Sequence, residues 1–328
     1  MISGLSHKTK QFFFVLIKLS IIVSAAYFIY DKLTNNQKID FDVFIAFLTK
    51  NAIFSTKIVV FLLFLTIFNW FLEILKWKNL VGFVQNISFF EALKQSLASH
   101  TASLFTPNRI GDYGAKAMYF ESSMRKRILF LNLISNSAQM FATLLFGCIG
   151  LISFVNTYNV NISYYRFLNY VVFIVAIITL IILGVSYNRL NLKGIPLYKI
   201  KDFIKSIFVR IHIKNILFSI LRYLIFSFQF YYLLLLFGTD FHYFEAMIII
   251  TTMYLLVSII PTIFIFDVVV KGGITIYLFS FVGVDELTVL SITMLMWLFN
   301  FVLPSVLGSL YVLNFSYSKA INPISNLE

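Results

Sequence analysis

FTPNRIGDYGAK, residues 105–116, decides how this chain is read. It gathers Arg109, Asp112 and Lys116, introduced by Pro107 and bracketed by Gly111 and Gly114, in a sequence that is 60% hydrophobic and only 12% charged. Such a stretch is either a surface loop between two membrane helices or a polar site set inside the membrane. Soluble domains run roughly 45–50% apolar and about 25% charged. With 328 residues, 39 of them Phe, and a mean hydropathy of +0.89, the chain reads as an all-α integral membrane protein, a single polytopic domain over residues 1–328. Its longest weakly apolar segment is shorter than the roughly 50 residues an independent soluble domain needs. The lone Cys148 excludes a structural disulfide and a cysteine metal cage. The net charge of +12 suits anionic headgroups and topogenic loops rather than nucleic acid.

Six runs are long enough to cross a bilayer, which takes about 20 mostly apolar residues: 11–30, 57–76, 128–155, 166–187, 215–237 and 286–314. The first reads as an uncleaved helix rather than a signal peptide, because Lys18 interrupts its apolar core. Pro304 in the last predicts a kink or tilt. Two further stretches, 89–125 and 245–282, each hold two short apolar helices broken near a proline. The halves are short for full crossings, and the first carries Glu91, Lys94, Gln95 and His100, which cannot face lipid cheaply. Re-entrant hairpins wrapped in protein satisfy both facts, with two ordinary spans as the alternative.

The two broken stretches repeat each other. Phe90-Glu91-Ala92 recurs as Phe244-Glu245-Ala246, and in each copy a proline follows the Phe by 17 residues, at Pro107 and Pro261. Asp112 and Asp267 come next, each with a lysine four residues on, at Lys116 and Lys271. The offset is 154 residues up to the prolines and 155 after them. This predicts repeat 1 over about 57–155 and repeat 2 over about 215–314, linked by helix 166–187 and a basic segment 188–214. Three crossings between the copies make the repeat inverted, the layout of many secondary transporters. Basic residues at Lys8, Lys10, Lys76, Lys78, 125–127 and across 188–214 fall on one side of this topology, which puts both termini in the cytoplasm. Residues 197–212 read as one basic amphipathic helix on the inner surface, and 41–49 less clearly as its outer counterpart.

Within the bend, Pro107 breaks the helix, the glycines permit close backbone approach, and the half-helix that follows offers free N–H groups to an anion. Arg109 can hold a phosphate in a bidentate fork, Lys116 adds a point charge, and Asp112 pairs with Arg109 or with Lys116 at i, i+4. The second copy has no arginine at its bend. Helix 57–76 carries Asn69 and Glu73, the latter either an interfacial partner of Lys76 or Lys78 or a partner of Arg109 in a cavity. Helix 215–237 holds Gln229 and Arg222, which needs a carboxylate or a headgroup at that depth. Asn132, Asn136 and Gln139 form a polar stripe that serves as interhelical glue or lines a pathway. The histidines have no metal-site spacing, and no nucleotide-binding loop, metalloprotease motif or Arg-Pro phosphatase signature is present, so neither cofactor nor catalytic residue is expected.

Asn69-Trp70, Glu73, Lys76-Trp77, the Phe90-Glu91-Ala92 entry, Pro107-Asn108-Arg109-Ile110-Gly111-Asp112 and the second proline bend resemble the lysylphosphatidylglycerol synthase/flippase transmembrane region family, the flippase-like domain of the multiple peptide resistance factor, over roughly residues 10–315. That family's first motif usually reads like Pro-Gly-Arg-Ile-Gly-Glu, so Asn108 and Asp112 are mild departures; its second is usually glycine-rich, where this chain has Ile263 to Phe266. The resemblance implies a flippase-like fold that moves lipid across the bilayer. It does not extend to the soluble aminoacyl-transfer domain of large members, so lipid synthesis is not carried over. The expectation is a bacterial inner-membrane transporter of a phosphate-bearing phospho- or glycolipid, of anionic or polyprenyl-phosphate type. Arg109 and Lys116 would hold the phosphate, with Asp112 and Glu73 opposing them. A membrane-embedded enzyme or accessory subunit of envelope glycolipid synthesis is the alternative, and a scaffold with purely structural charges a third. The sequence sets no oligomeric state.

Overall fold

A computed structural model describes residues 55–104, 106, 110–158, 191–192, 195–259 and 267–315, with residues 46 and 49. The runs at 11–30 and 166–187, and most of 41–49, lie outside these residues, as do Pro107, Arg109 and Pro261. The described chain is helical, except for a two-residue antiparallel ladder pairing Asn191–Leu192 (β1) with Ile195–Pro196 (β2). In order, the helices are α1 (Thr56–Val81), α2 (Phe89–Ser103), α3 (Ile110–Met118), α4 (Arg125–Thr157), α5 (Leu197–Ser206), α6 (Val209–Leu236), α7 (Tyr243–Ile259), α8 (Asp267–Ser280), α9 (Glu286–Trp297) and α10 (Leu303–Leu313). Four helices are long and apolar enough to cross a membrane: α1, α4, α6 and the run from α9 through α10. They coincide with four of the six runs expected from hydropathy. Their outward faces carry exposed Ile67, Ile149, Leu217 and Leu310, a surface suited to acyl chains rather than water.

Local chemistry sets the element boundaries. Ser88 accepts a hydrogen bond from the Glu91 N–H (3.2 Å) while the Glu91 side chain accepts one from the Ser88 N–H (2.6 Å), a reciprocal cap that starts α2. Asp285 caps α9 through the Leu287 and Thr288 N–H groups. The last long run is interrupted by a π-helical segment at Leu298–Val302, directly before Pro304. Proline has no N–H and its ring crowds the carbonyl four residues back, here that of Asn300. The freed Asn300 carbonyl instead accepts the Trp70 indole N–H at 3.4 Å. The kink predicted at Pro304 therefore takes the form of a π segment.

Residues 197–212 are not one surface helix. The chain breaks between α5 and α6 because Ile207 is buried in the same core as Trp77 and Ile128, with Phe203 and Ile211 packed against that core, while Phe208 takes an extended backbone (φ −56, ψ 134). Arg210 and Lys214 consequently lie in the early turns of the spanning helix α6.

Two cores result. One gathers Ile74, Trp77, Leu80, Ala92, Phe120, Ile128 and Leu131 from α1, α2, the end of α3 and α4. The other is built mainly from α6 to α9, with Phe230, Ile249, Phe279 and Ile292 at its centre and Leu62 and Phe154 reaching in from α1 and α4. The same order of elements, long helix, two short helices, long helix, occurs twice, and the contacts between the halves are reciprocal: α4 packs on α7, α10 packs on α2, and α1 packs on α6. Glycines make two of these seams close. A Cβ on Gly308 would meet the Leu97 carbonyl oxygen at 2.2 Å and Thr101 Oγ1 at 2.3 Å. On Gly150 it would meet Thr251 Oγ1 at 2.0 Å, and on Gly147 the Leu255 Cβ at 2.5 Å. Leu97 and Thr251 are 154 positions apart, as are Thr101 and Leu255, so α2 and α7 use matching positions to receive the opposite half. Ala92 and Ala246 are likewise both fully buried, beside exposed Phe90 and Phe244.

Overpacking a close seam costs about 1–3 kcal/mol or more. Gly308→Val is expected to lower the thermal unfolding midpoint and the monodisperse yield in detergent. Gly114→Ala, where nothing lies within 4 Å of the new Cβ, should leave both unchanged.

Candidate functional site

Most of the ionisable groups that the short helices and long spans carry inward meet between the two halves. A cavity of about 590 Å³ is lined from α1 by Asn69, Glu73 and Lys76, from the first broken pair by His100, Asp112 and Lys116, and from the second by Tyr254 and Lys271. Asn136 and Gln139 of α4, Arg222 of α6 and Asn300 of the π segment complete its polar wall.

Glu73 is the centre of the charges. Its carboxylate lies 2.8 Å from Lys76 Nζ, is bonded by Arg222 Nη1, and is 4.0 Å from Lys116 Nζ. Lys76 is 1% exposed and Lys116 2%, so neither ammonium is solvated in the usual way, and each needs a partner. Of the two alternatives open for Glu73, the Lys76 pairing of one and the cavity position of the other both occur, while Arg109, the partner expected in the cavity, lies outside the described residues. The carboxylate that Arg222 requires at its depth is Glu73, on α1. Arg222 also donates from Nε to Asn69 (3.1 Å) and from Nη1 to Gln139 (3.2 Å). Its Nη2 has no partner among the described residues.

The opening stretch supplies the second carboxylate. Lys116 Nζ lies 3.3 Å from both oxygens of Asp112, the i, i+4 pairing that the spacing allows. Ser99 Oγ and Asn132 Nδ2 each donate to Asp112 at 2.6 Å, and Lys116 donates to Asn132 Oδ1 at 3.0 Å. Lys116 also sits 4.6 Å from the centre of the Trp77 ring, a cation–π contact. Gly111 is required by close approach, since a Cβ there would meet the Ala102 carbonyl oxygen at 2.8 Å. The start of α3 is not wholly open to an anion as expected: Thr106 Oγ1 accepts the Gly111 N–H at 2.7 Å.

A neutral relay joins the halves. Asn69 donates to Asn300 Oδ1 (3.5 Å), Asn300 donates to Gln229 Oε1 (2.9 Å), and buried Gln229 donates to Thr66 Oγ1 (3.2 Å). The polar stripe on α4 thus divides its roles: Asn132 holds the Asp112–Lys116 pair, Gln139 holds Arg222, and Asn136 lines the cavity. Lys271 lines the opposite wall, while Asp267 opens α8 with its side chain outside the described part. Asn300 was missed from sequence, although a single amide four residues before Pro304 in an apolar run was a usable signal. Ser99, Tyr223 and Tyr254 carried none, the tyrosines being 2 among 18.

A model of the family described as lysylphosphatidylglycerol synthase TM region matches residues 15–308, and the chain belongs to that family. No curated protein and no solved structure matches it.

Removing one partner of a buried ion pair costs about 3–5 kcal/mol, because the other charge is left uncompensated. Glu73→Gln is therefore expected to lower thermal stability in detergent more than Asn136→Ala does. Glu73→Gln combined with Lys76→Met should recover part of the loss, which a double-mutant cycle would measure.

Proposed function

We propose that this family member is a flippase-like transporter of the bacterial inner membrane that translocates a phosphate-bearing lipid, a phospholipid or a glycolipid. The observation that carries the reading is the cavity between the two halves, in which Lys76, Lys116 and Arg222 face only Glu73 and Asp112. Among the described residues these three cations share two carboxylates, an excess that an anionic headgroup would complete. Arg222, with an open guanidinium edge, is the described residue best suited to a phosphate. Lys116 adds charge beside it, and Arg109 remains a proposed ligand at the bend.

The layout that goes with this function is six crossings and two re-entrant hairpins in an inverted repeat, with both termini cytoplasmic. The reciprocal seams of α4 on α7 and α10 on α2 support it, as does the shared offset of the receiving positions. Alternating exposure would come from one half rocking on the other across the glycine seams. The charge network, bonded to both halves, would be remade on each swing. With no nucleotide-binding motif in the sequence, an ion gradient or downhill lipid movement would drive it.

The test is transbilayer movement of headgroup-labelled lipid in proteoliposomes. Arg222→Gln and Lys116→Gln should each cut the rate about tenfold or more, the loss of one charge-assisted contact, and Arg109→Gln should do the same with normal protein levels in the membrane. Failure of the wild-type protein to accelerate any phosphate-bearing lipid would sink the transport reading, and chemical conversion of the lipid would favour an enzyme. Cysteine accessibility at positions 89, 107 and 125 tests re-entry: 89 and 125 should label from the cytoplasmic side alone.

A further inference from the structure

One wall of the cavity has hydrogen-bonding groups that no described residue answers. Tyr223 on α6 is 4% exposed, and its hydroxyl has no hydrogen-bond partner among the described residues. The Tyr254 hydroxyl on α7 is buried and equally unanswered. The two rings meet edge to face, with centroids 6.1 Å apart, and both line the cavity. Each ring is held by its neighbours: Tyr223 stacks on Phe146 at 5.0 Å, and Tyr254 packs on Phe226 at 5.1 Å. Neither phenol is therefore free to swing away in search of a partner. Tyr223 directly follows Arg222, whose Nη2 likewise has no partner among the described residues, and Asn136 on the facing helix makes no hydrogen bond among them. A buried polar group without a partner is costly, and two of them on one cavity wall beside an open guanidinium edge mark a place built for a ligand.

The chemistry narrows that ligand. The guanidinium edge calls for an anion. A phenol both donates and accepts, so a hydroxyl answers it fully, whereas an ammonium only donates and leaves the phenol proton unanswered. The carboxylates settle the sign of the remaining charge. Glu73 is shared by Lys76 and Arg222, and Asp112 is paired with Lys116. A headgroup bearing its own cation would add like charge next to these groups, and no described carboxylate in the cavity is left to receive it.

We propose that the site is selective for a phosphodiester lipid whose headgroup is uncharged and carries hydroxyls, a polyol or a sugar, with Tyr223 and Tyr254 as its hydroxyl-binding residues and Arg222 as its phosphate ligand. This assignment rests on the cavity being a lipid-headgroup site, and it sets a net-anionic polyhydroxyl headgroup against the cationic aminoacyl type.

Tryptophan fluorescence reads the site directly. Of the three tryptophans in the chain, Trp70 and Trp297 line the cavity and Trp77 carries Lys116 on its face. The purified full-length protein is titrated in detergent with three lipids of the same short acyl chains: phosphatidylglycerol, phosphatidylmethanol and lysyl-phosphatidylglycerol. Phosphatidylmethanol has the same phosphodiester charge without the hydroxyls. Phosphatidylglycerol is expected to bind about tenfold tighter than phosphatidylmethanol, the worth of two modest hydrogen bonds, and lysyl-phosphatidylglycerol should bind more weakly than either. The double variant Tyr223→Phe, Tyr254→Phe should erase the difference between the first two lipids, bind phosphatidylmethanol as before, and unfold at the same or a higher temperature in the absence of lipid. Arg222→Gln should weaken both. Tyr254→Phe alone should remove part of the preference. Equal binding of phosphatidylglycerol and phosphatidylmethanol by the wild type, a preference that survives in the double variant, tight binding of the lysyl lipid, or no response to any of the three would each overturn the assignment. Selective binding without transbilayer movement would leave it standing and overturn the transport reading instead.

Discussion

One carboxylate, Glu73, decides whether the two halves of this protein can sit together. It lies in α1, bonds Lys76 on the same helix, and reaches Arg222 on α6. An ammonium that is 1% exposed and a guanidinium in the middle of an apolar helix are tolerable only with a counter-charge in place. That counter-charge comes from the same half for the lysine and from the other half for the arginine. The α1–α6 seam is therefore held by charge as well as by packing, and the cavity forms where these groups prevent apolar side chains from closing the gap.

Around this centre the fold uses broken helices to make bonds rather than merely to bend. The break before Pro304 releases the Asn300 carbonyl to Trp70, and in the same segment the Asn300 side chain joins Asn69 to Gln229. His100 and Thr101 of α2 reach the Phe301 and Ser305 carbonyls, the latter at 2.9 Å. Side chains of the first half thereby satisfy backbone groups exposed by the irregularity of the second, as the absence of water in a bilayer core requires. The π segment and the glycine seam at Gly308 lie within one continuous run, so close approach and backbone satisfaction depend on each other.

Much of the site could be read locally. The spacing of Asp112 and Lys116 is a helical one, and they pair. Arg222 stood alone in an apolar run, so a carboxylate had to come to it. Asn132 and Gln139 fell on one helical face, and both point their amides at charges. What escaped was whatever depended on a partner from afar. Asn300 acquires its role only because Asn69, Trp70 and Gln229 converge on it from two other helices. Tyr223 and Tyr254 are unremarkable until their hydroxyls are found buried and unanswered. The single helix expected over 197–212 failed for a related reason: its apolar face continues to Ile211, but burial of Ile207 against the first core outweighs helical continuity.

By itself the sequence determined the medium and the four long helices, and it predicted the repeat, because hydropathy, proline position and a fixed spacing of like residues are properties of the chain. It also showed which residues could not be left facing lipid. Only the tertiary structure decided which charge neutralises which, since Coulomb pairing acts through space and Glu73 had several cations within reach of its helix. It placed Arg222 of α6 on the cavity wall beside Glu73. It also showed two phenols and one guanidinium edge without partners among the described residues, which no spacing along the chain could have revealed.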